Sequence, residues 1–182
     1  MPDFYSGSRA VPLGWVAAQA GPPAYVNVGD ALSPLMVMMV SGRRVTRAPF
    51  VSTAPRMAAV GTIGQNFRGG RVDVWGAGCS PWRAPAAERR GPYTPPPKTE
   101  IRIHAARGPM SARLLSGGRA PDVPFGDPAV LLPHFHSTPV EKRWELGAVL
   151  HLAELADRDF SAAARPQIAR FDAPADGSVR PI

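Results

Sequence analysis

The sequence predicts an α/β fold built on a Rossmann-like, mostly parallel sheet, and three observations predict it. Short apolar runs alternate with helical patterns along the chain. Two of the runs, "RMAAVGTIG" (Arg56–Gly64) and "RVDVWGAGCS" (Arg71–Ser80), stop at small-residue turns. Strands do this at the carboxyl rim of a parallel sheet, where ligands approach. The helical patterns near Asp30 and after Gly108 each follow an apolar run, the order that parallel pairing needs.

The elements follow in order. "GWVAA" (Gly14–Ala18) is expected to open the sheet. "YVNVGDALSPLMVMMVSGRRV" (Tyr25–Val45) then carries a helix, with Asp30 as its N-cap, Pro34 near the first turn and Ser41-Gly42 as its stop. Its apolar residues, Leu32 and Leu35 to Val40, leave almost no polar face, which predicts a helix buried on several sides. "RVTRA" (Arg44–Ala48) reads as a strand, followed by the two glycine-ended strands. Ser80 to Lys98 holds Pro81, Pro85, Pro92 and Pro95-Pro96-Pro97, so it reads as a surface loop or stiff linker. "EIRIHAARG" (Glu100–Gly108) alternates Ile101 and Ile103 with charge, a strand pattern. In "RGPMSARLLSGG" (Arg107–Gly118), Pro109 suits the first helical position and Gly117-Gly118 ends the helix. "VPFGDPAVLLPHF" (Val123–Phe135) is expected to be a strand-to-turn element, with Asp127 in an Asx-turn before Pro128. "WELGAVLHLAE" (Trp144–Glu154) and "QIARFDAP" (Gln167–Pro174) read as further strands.

Composition narrows the function classes. The chain has 182 residues, 45% hydrophobic and 19% charged, which argues for a globular fold. The net charge of +7 comes from basic residues that are mostly dispersed. No basic run with interleaved aromatics occurs, which speaks against nucleic acid and leaves an anionic small substrate or plain composition as the source of the excess. One cysteine, Cys79, excludes an internal disulfide and fits a reducing cytoplasm. No apolar run is long enough for a transmembrane segment, so any membrane association is expected to be peripheral.

Several chemistries are unsupported. There is no Walker A loop, no G-x-G-x-x-G after a strand and no G-x-S-x-G elbow. His134 and His136 are two imidazoles without further ligands, too few for a zinc site, so no metal is expected. Arg107 stands just before a helix start, where backbone amides lack partners. A guanidinium beside such amides makes a pocket for phosphate or carboxylate. The equal alternative is that Arg107 pairs with a neighbouring acid.

The segments "NVGDALSPLMVMMVSGRRV", "AAVGTIGQN", "VDVWGAGCS", "ARGPMSARLL", "FGDPAVLLP" and "WELGAVLHLAE" occur in the order and approximate spacing found in polysaccharide pyruvyl transferases. Over roughly Tyr25 to Glu154 the chain resembles the amino-terminal half of that family. The resemblance implies a GT-B-like architecture of two Rossmann-like domains facing a cleft. On that basis 1–138 would form the first domain, and 139–182 a linker and the beginning of a truncated second. It implies transfer of a pyruvyl group from phosphoenolpyruvate, the donor substrate, to hydroxyls of a polysaccharide or cell-wall sugar, with no cofactor. The acceptor would be a saccharide, free or lipid-linked, and the location cytoplasmic or peripheral to the inner membrane.

By resemblance, Asp30 and Asp127 would be catalytic, and Asn27, Gly29, Arg107 and Ser111 would bind substrate. The family's further Ser-x-x-His-Gly motif has no counterpart here, since none of His104, His134, His136 and His151 lies in such a context. The chain is therefore expected to be inactive alone if it ends at Ile182, and its apolar Gly147–Ala153 segment would favour self-association. Two alternatives stand beside this reading: a non-catalytic remnant or binding module of the fold, and a related GT-B-like glycosyltransferase.

Overall fold

The computed structural model describes residues 10–16, 28–81 and 93–135. The chain divides into two compact units, Met1–Ser137 and Thr138–Ile182; every described residue belongs to the first. Its centre is one sheet of β1 (Ala10–Gly14), β2 (Arg44–Arg47), β3 (Arg56–Ala58), β4 (Gly70–Trp75) and β5 (Thr99–Ala105). The strand order is β2-β1-β3-β4-β5, and every pairing is parallel. The chain is an α/β protein with a Rossmann-like sheet. This order reverses direction between β1 and β3, which opens a crevice at the carboxyl ends of those strands.

The period of two in each strand divides the core between the faces. On one face Val11, Leu13 and Ala59 pack with Val37 of helix α1 (Val28–Ser41), joined by the half-buried Trp15, Val45, Met57 and Trp75. On the other, Ala58, Val72, Val74, Ile63, Phe67 and Cys79 pack with Leu115 of helix α2 (Pro109–Ser116). A register shift lies between Val74 and Trp75.

Both helices end as their sequences dictate. Gly42 has φ 65° and donates to the Met38 carbonyl at 2.9 Å. Gly117, at φ 78°, caps α2 through the carbonyls of Arg113 and Leu114, and Pro109 opens that helix. These are left-handed glycine stops, which cost other residues steric energy.

The connection between β3 and β4 is short for a parallel crossover. It holds a single 3-10 turn, Gly64–Asn66, and contributes Phe67, 1% exposed, to the core. Phe67 meets Phe50 edge-to-face at 5.0 Å. Arg56, 0% exposed, lies with its guanidinium 5.3 Å from the Phe67 ring centroid. Its Nη1 donates to the carbonyls of Ser52, Ala54 and Gly69, and its Nη2 to those of Phe50 and Arg68, at 2.7–3.1 Å. No carboxylate is among these acceptors. Five carbonyl dipoles replace the water that burial removed, and the residual desolvation lowers the Arg56 pKa.

Four expectations change. The first strand lies earlier than Gly14–Ala18, because Ala10–Gly14 places Val11 and Leu13 in the core and pairs with β2 and β3. Helix α1 begins at Val28, so Asp30 stands inside its first turn instead of capping it. The same helix is buried on one side only: Ser33, Met36 and Val37 face the core, whereas Ala31, Leu35 and Met38 are exposed. Val123–Phe135 forms one bridge, Ala106 to Phe125, and then a 3-10 helix, Pro128–His134. His134 therefore lies on a helix, not a strand. Residues 82–92, the Trp144–Glu154 and Gln167–Pro174 strands and His136 lie outside the described residues. Among the described residues, no helix is long and apolar enough to cross a membrane.

Candidate functional site

Three strand-following segments and the segment that follows α2 meet at the carboxyl rim. Beyond β3, Thr62 bridges to Gly78 beyond β4. Beyond β5, Ala106 bridges to Phe125, and the amide of Gly126 donates to the Ala106 carbonyl at 2.9 Å. These main-chain links bring Arg107 and Asp127, twenty positions apart, side by side.

Arg107 donates to Asp127 Oδ2 from Nε at 3.2 Å and from Nη2 at 2.8 Å. Its Nη1 donates to Thr62 Oγ1 at 2.6 Å. The other carboxylate oxygen, Oδ1, accepts from the Ala129 amide at 3.0 Å, so Asp127 caps the 3-10 helix. A guanidinium has five N–H donors; three are committed here, and two remain on a side chain that is 40% exposed. Sequence reasoning left Arg107 balanced between anion site and ion pair. The structure places it in the ion pair, with two N–H donors left uncommitted on a partly exposed side chain.

Glycine makes this approach possible. Gly76 follows β4 with φ 82°, and a Cβ there would sit 2.6 Å from the Gly126 carbonyl oxygen and against the Pro128 ring. Gly78 lies against Arg107, a Cβ there meeting its Nη1 at 3.2 Å.

Ser111 is buried in α2, and its Oγ accepts from the Cys79 amide at 3.1 Å. It joins α2 to the turn after β4 and so fixes the segment against which Arg107 lies. Gly29 is half-buried in the first turn of α1, with Asp30 next to it in the helix. Ser33 Oγ of the same helix accepts from the Val60 amide at 3.2 Å, which sets this end of α1 beside the carboxyl end of β3. Asn27 lies outside the described residues. The structure thus joins Arg107 with Asp127 directly, ties Ser111 to the neighbouring turn, and leaves Gly29 and Asp30 on the adjoining helix.

Sequence reasoning did not single out Thr62, although it precedes the 3-10 turn of a glycine-ended strand. It also passed over Asp73, 3% exposed on β4. Asp73 accepts from Arg71 Nε at 3.1 Å, and its other oxygen lies 3.0 Å from His104 Nε2 on β5. The signal was present, because Asp73 is the polar position between Val72 and Val74. This pair lies on the sheet face away from α2. An open depression of about 480 Å³ lined by Gly70, Arg71, Lys98, Thr99 and Glu100 lies at the amino ends of β4 and β5. It is remote from the carboxyl rim in the direction of the strands, and none of the expected site residues lines it. Burial pushes the Cys79 thiol up to about 12, so this cysteine is no nucleophile at neutral pH. No cluster of metal-ligating side chains occurs among the described residues.

Fold and rim together define an α/β protein whose sheet presents an arginine–carboxylate pair and exposed guanidinium donors at its carboxyl edge. Comparisons with protein families, curated proteins and solved structures find no match to this chain.

Proposed function

We propose that this unit binds the phosphoenolpyruvate donor of a pyruvyl transferase of the polysaccharide-modifying kind, and that it corresponds to the amino-terminal half of a GT-B-like enzyme. One observation carries the reading. Four of the segments that resemble the family supply Thr62, Gly78, Arg107 and Asp127, and these converge on one rim. Phosphoenolpyruvate carries a phosphate and a carboxylate, so its site needs fixed cationic donors. The two uncommitted N–H groups of Arg107 would supply them, and Asp127 with Thr62 holds the guanidinium in one orientation.

The reaction this implies adds a proton to the enol methylene, bonds one sugar oxygen to the adjacent carbon, and replaces the phosphate with a second sugar oxygen. The two hydroxyl protons go to the new methyl group and to the departing phosphate. Asp30, in the first turn of α1, is the residue proposed to take a hydroxyl proton. Gly29, half-buried in that turn, would line the same crevice.

A second reading, a binding module without chemistry, draws on the state of Asp127. Both its oxygens already accept hydrogen bonds, which suits a positioning group better than a base. Calorimetry with phosphoenolpyruvate tests the shared part of the two readings. Binding by the chain that disappears in Arg107→Ala supports the site, and equal affinity in the variant removes Arg107 from it. Phosphate release from phosphoenolpyruvate with a sugar acceptor would overturn the module reading, since a module releases none.

A further inference from the structure

We infer that Thr62 is itself a binding residue of the carboxyl rim, its hydroxyl donating to an oxygen of the same anion that Arg107 meets. The inference rests on the reading of this rim as an anion site, and not on pyruvyl transfer.

The first observation is the direction of one hydrogen bond. Arg107 Nη1 lies 2.6 Å from Thr62 Oγ1. A guanidinium only donates, so the threonine oxygen is the acceptor and its own proton turns away from Arg107. Among the described residues that proton meets no acceptor, and Thr62 is exposed. A spare O–H donor therefore stands beside the two uncommitted N–H groups of Arg107.

The second observation is the balance of donors and acceptors. A carboxylate offers about four acceptor sites. Arg107 Nε, Arg107 Nη2 and the Ala129 amide fill three of those on Asp127. The cluster is left rich in donors and poor in acceptors. A neutral hydroxyl group brings its own proton and needs an acceptor for it. A phosphate or carboxylate only accepts, and it matches the donors that remain.

The third observation is the frame around Thr62. Gly61, before it, has φ 108°. The Gly78 amide donates to the Gly61 carbonyl and the Gly64 amide to the Gly78 carbonyl, both at 2.9 Å. The Thr62 carbonyl accepts from Gln65 Nε2 at 2.8 Å, and Gln65 Oε1 accepts from the Ser80 amide at 3.0 Å. A Cβ on Gly78 would lie 3.2 Å from both Thr62 Oγ1 and Arg107 Nη1, so glycine there leaves the pair room. The β-branch of threonine narrows its side-chain rotation further. An exposed hydroxyl that met only water would gain nothing from this frame. A donor to a bound anion gains, because its direction is set before the ligand arrives.

Calorimetry of the full chain with phosphoenolpyruvate, inorganic phosphate and pyruvate tests the inference. Thr62→Val removes the hydroxyl and is expected to weaken phosphoenolpyruvate binding about tenfold or more. Thr62→Ser, which keeps the hydroxyl, should restore most of it. Whichever of inorganic phosphate and pyruvate loses affinity in Thr62→Val is the group that Thr62 meets. Nitrogen-15 relaxation of the Arg107 Nε–H separates contact from positioning. Its order parameter should be unchanged in Thr62→Val, because Asp127 still holds Nε and Nη2. A fall in that order parameter alongside the lost affinity overturns the inference, since Thr62 would then act only through Arg107. Equal phosphoenolpyruvate affinity in Thr62→Val also overturns it, and leaves the Arg107 site standing. Inorganic phosphate that binds and weakens in Thr62→Val, without phosphoenolpyruvate binding, supports the inference and removes the pyruvyl donor. A chain that binds none of the three overturns both.

Discussion

Two arginines at opposite rims of the sheet show how one residue type serves two purposes. Arg56 opens β3 at the amino rim, wholly buried, with five carbonyls as acceptors and no acid. Arg107 follows β5 at the carboxyl rim, well exposed, with one carboxylate, one hydroxyl and two donors to spare. At the amino rim the guanidinium is consumed by the fold. It gathers two connections that lack α-helices of their own. At the carboxyl rim the fold holds the guanidinium in place but leaves part of it available. The difference separates a residue that the structure needs from one that it presents.

The largest effect is expected at the amino rim. Arg56→Met removes the cation and takes the guanidinium donors from the carbonyls of Phe50, Ser52, Ala54, Arg68 and Gly69, for a loss of about 3–5 kcal/mol. Urea unfolding measures it, and a loss below about 1 kcal/mol would erase the contrast drawn between the two arginines. Next comes Gly76→Ala. It forces a side chain into a left-handed backbone and against the Gly126 carbonyl, for an expected loss of about 2–4 kcal/mol. Because Gly126 adjoins Asp127, the variant should also weaken anion binding; a stable variant with full binding would show that this close approach does not set the rim.

Ser111→Ala orphans the buried Cys79 amide and should cost about 1–2 kcal/mol in the same unfolding measurement. Arg107→Ala removes a half-exposed ion pair and should cost under about 1 kcal/mol. Its phosphoenolpyruvate binding should nevertheless vanish, so stability and binding move independently at this rim. A stability loss as large as that of Arg56→Met would place Arg107 among the structural residues.

The smallest effect concerns pH. The Cys79 thiol ionises near 9 when unfolded and at about 12 in the fold. Its neutral form is favoured by folding, so its contribution is fully present below about pH 9 and is lost as pH rises towards 12. Cys79→Ala should flatten the fall in urea midpoint between about pH 8 and about pH 10.5. An identical slope in the variant would mean that other groups dominate the alkaline limb.

Much of the scaffold was legible because it rests on local rules. Pro109 and Gly117-Gly118 bounded α2, Gly42 stopped α1, and Ile101 and Ile103 marked β5 by alternation. Asp127 was legible as a cap because Asp-Pro favours that turn. The misreadings have physical causes. The stretch "AVPLG" looks weak as a strand, and only pairing with both β2 and β3 makes it one. Helix α1 read as buried on several sides because apolar content does not reveal how many neighbours a helix has. Arg56 passed unnoticed because its acceptors are main-chain carbonyls, which every sequence contains. Thr62 was hidden because its partner, Arg107, is 45 positions away.

The sequence by itself determined the alternation of strands and helices, the glycine and proline stops, and the chemical supply of one arginine and one aspartate in separate turns. These depend on backbone sterics and on side-chain periods within a few residues. Tertiary structure alone decided the strand order, the reversal between β1 and β3, the meeting of Arg107 with Thr62 and Asp127, and the side of α1 left in water. Each of these is a long-range packing outcome, settled by which surfaces the whole sheet buries and which it leaves at its rim.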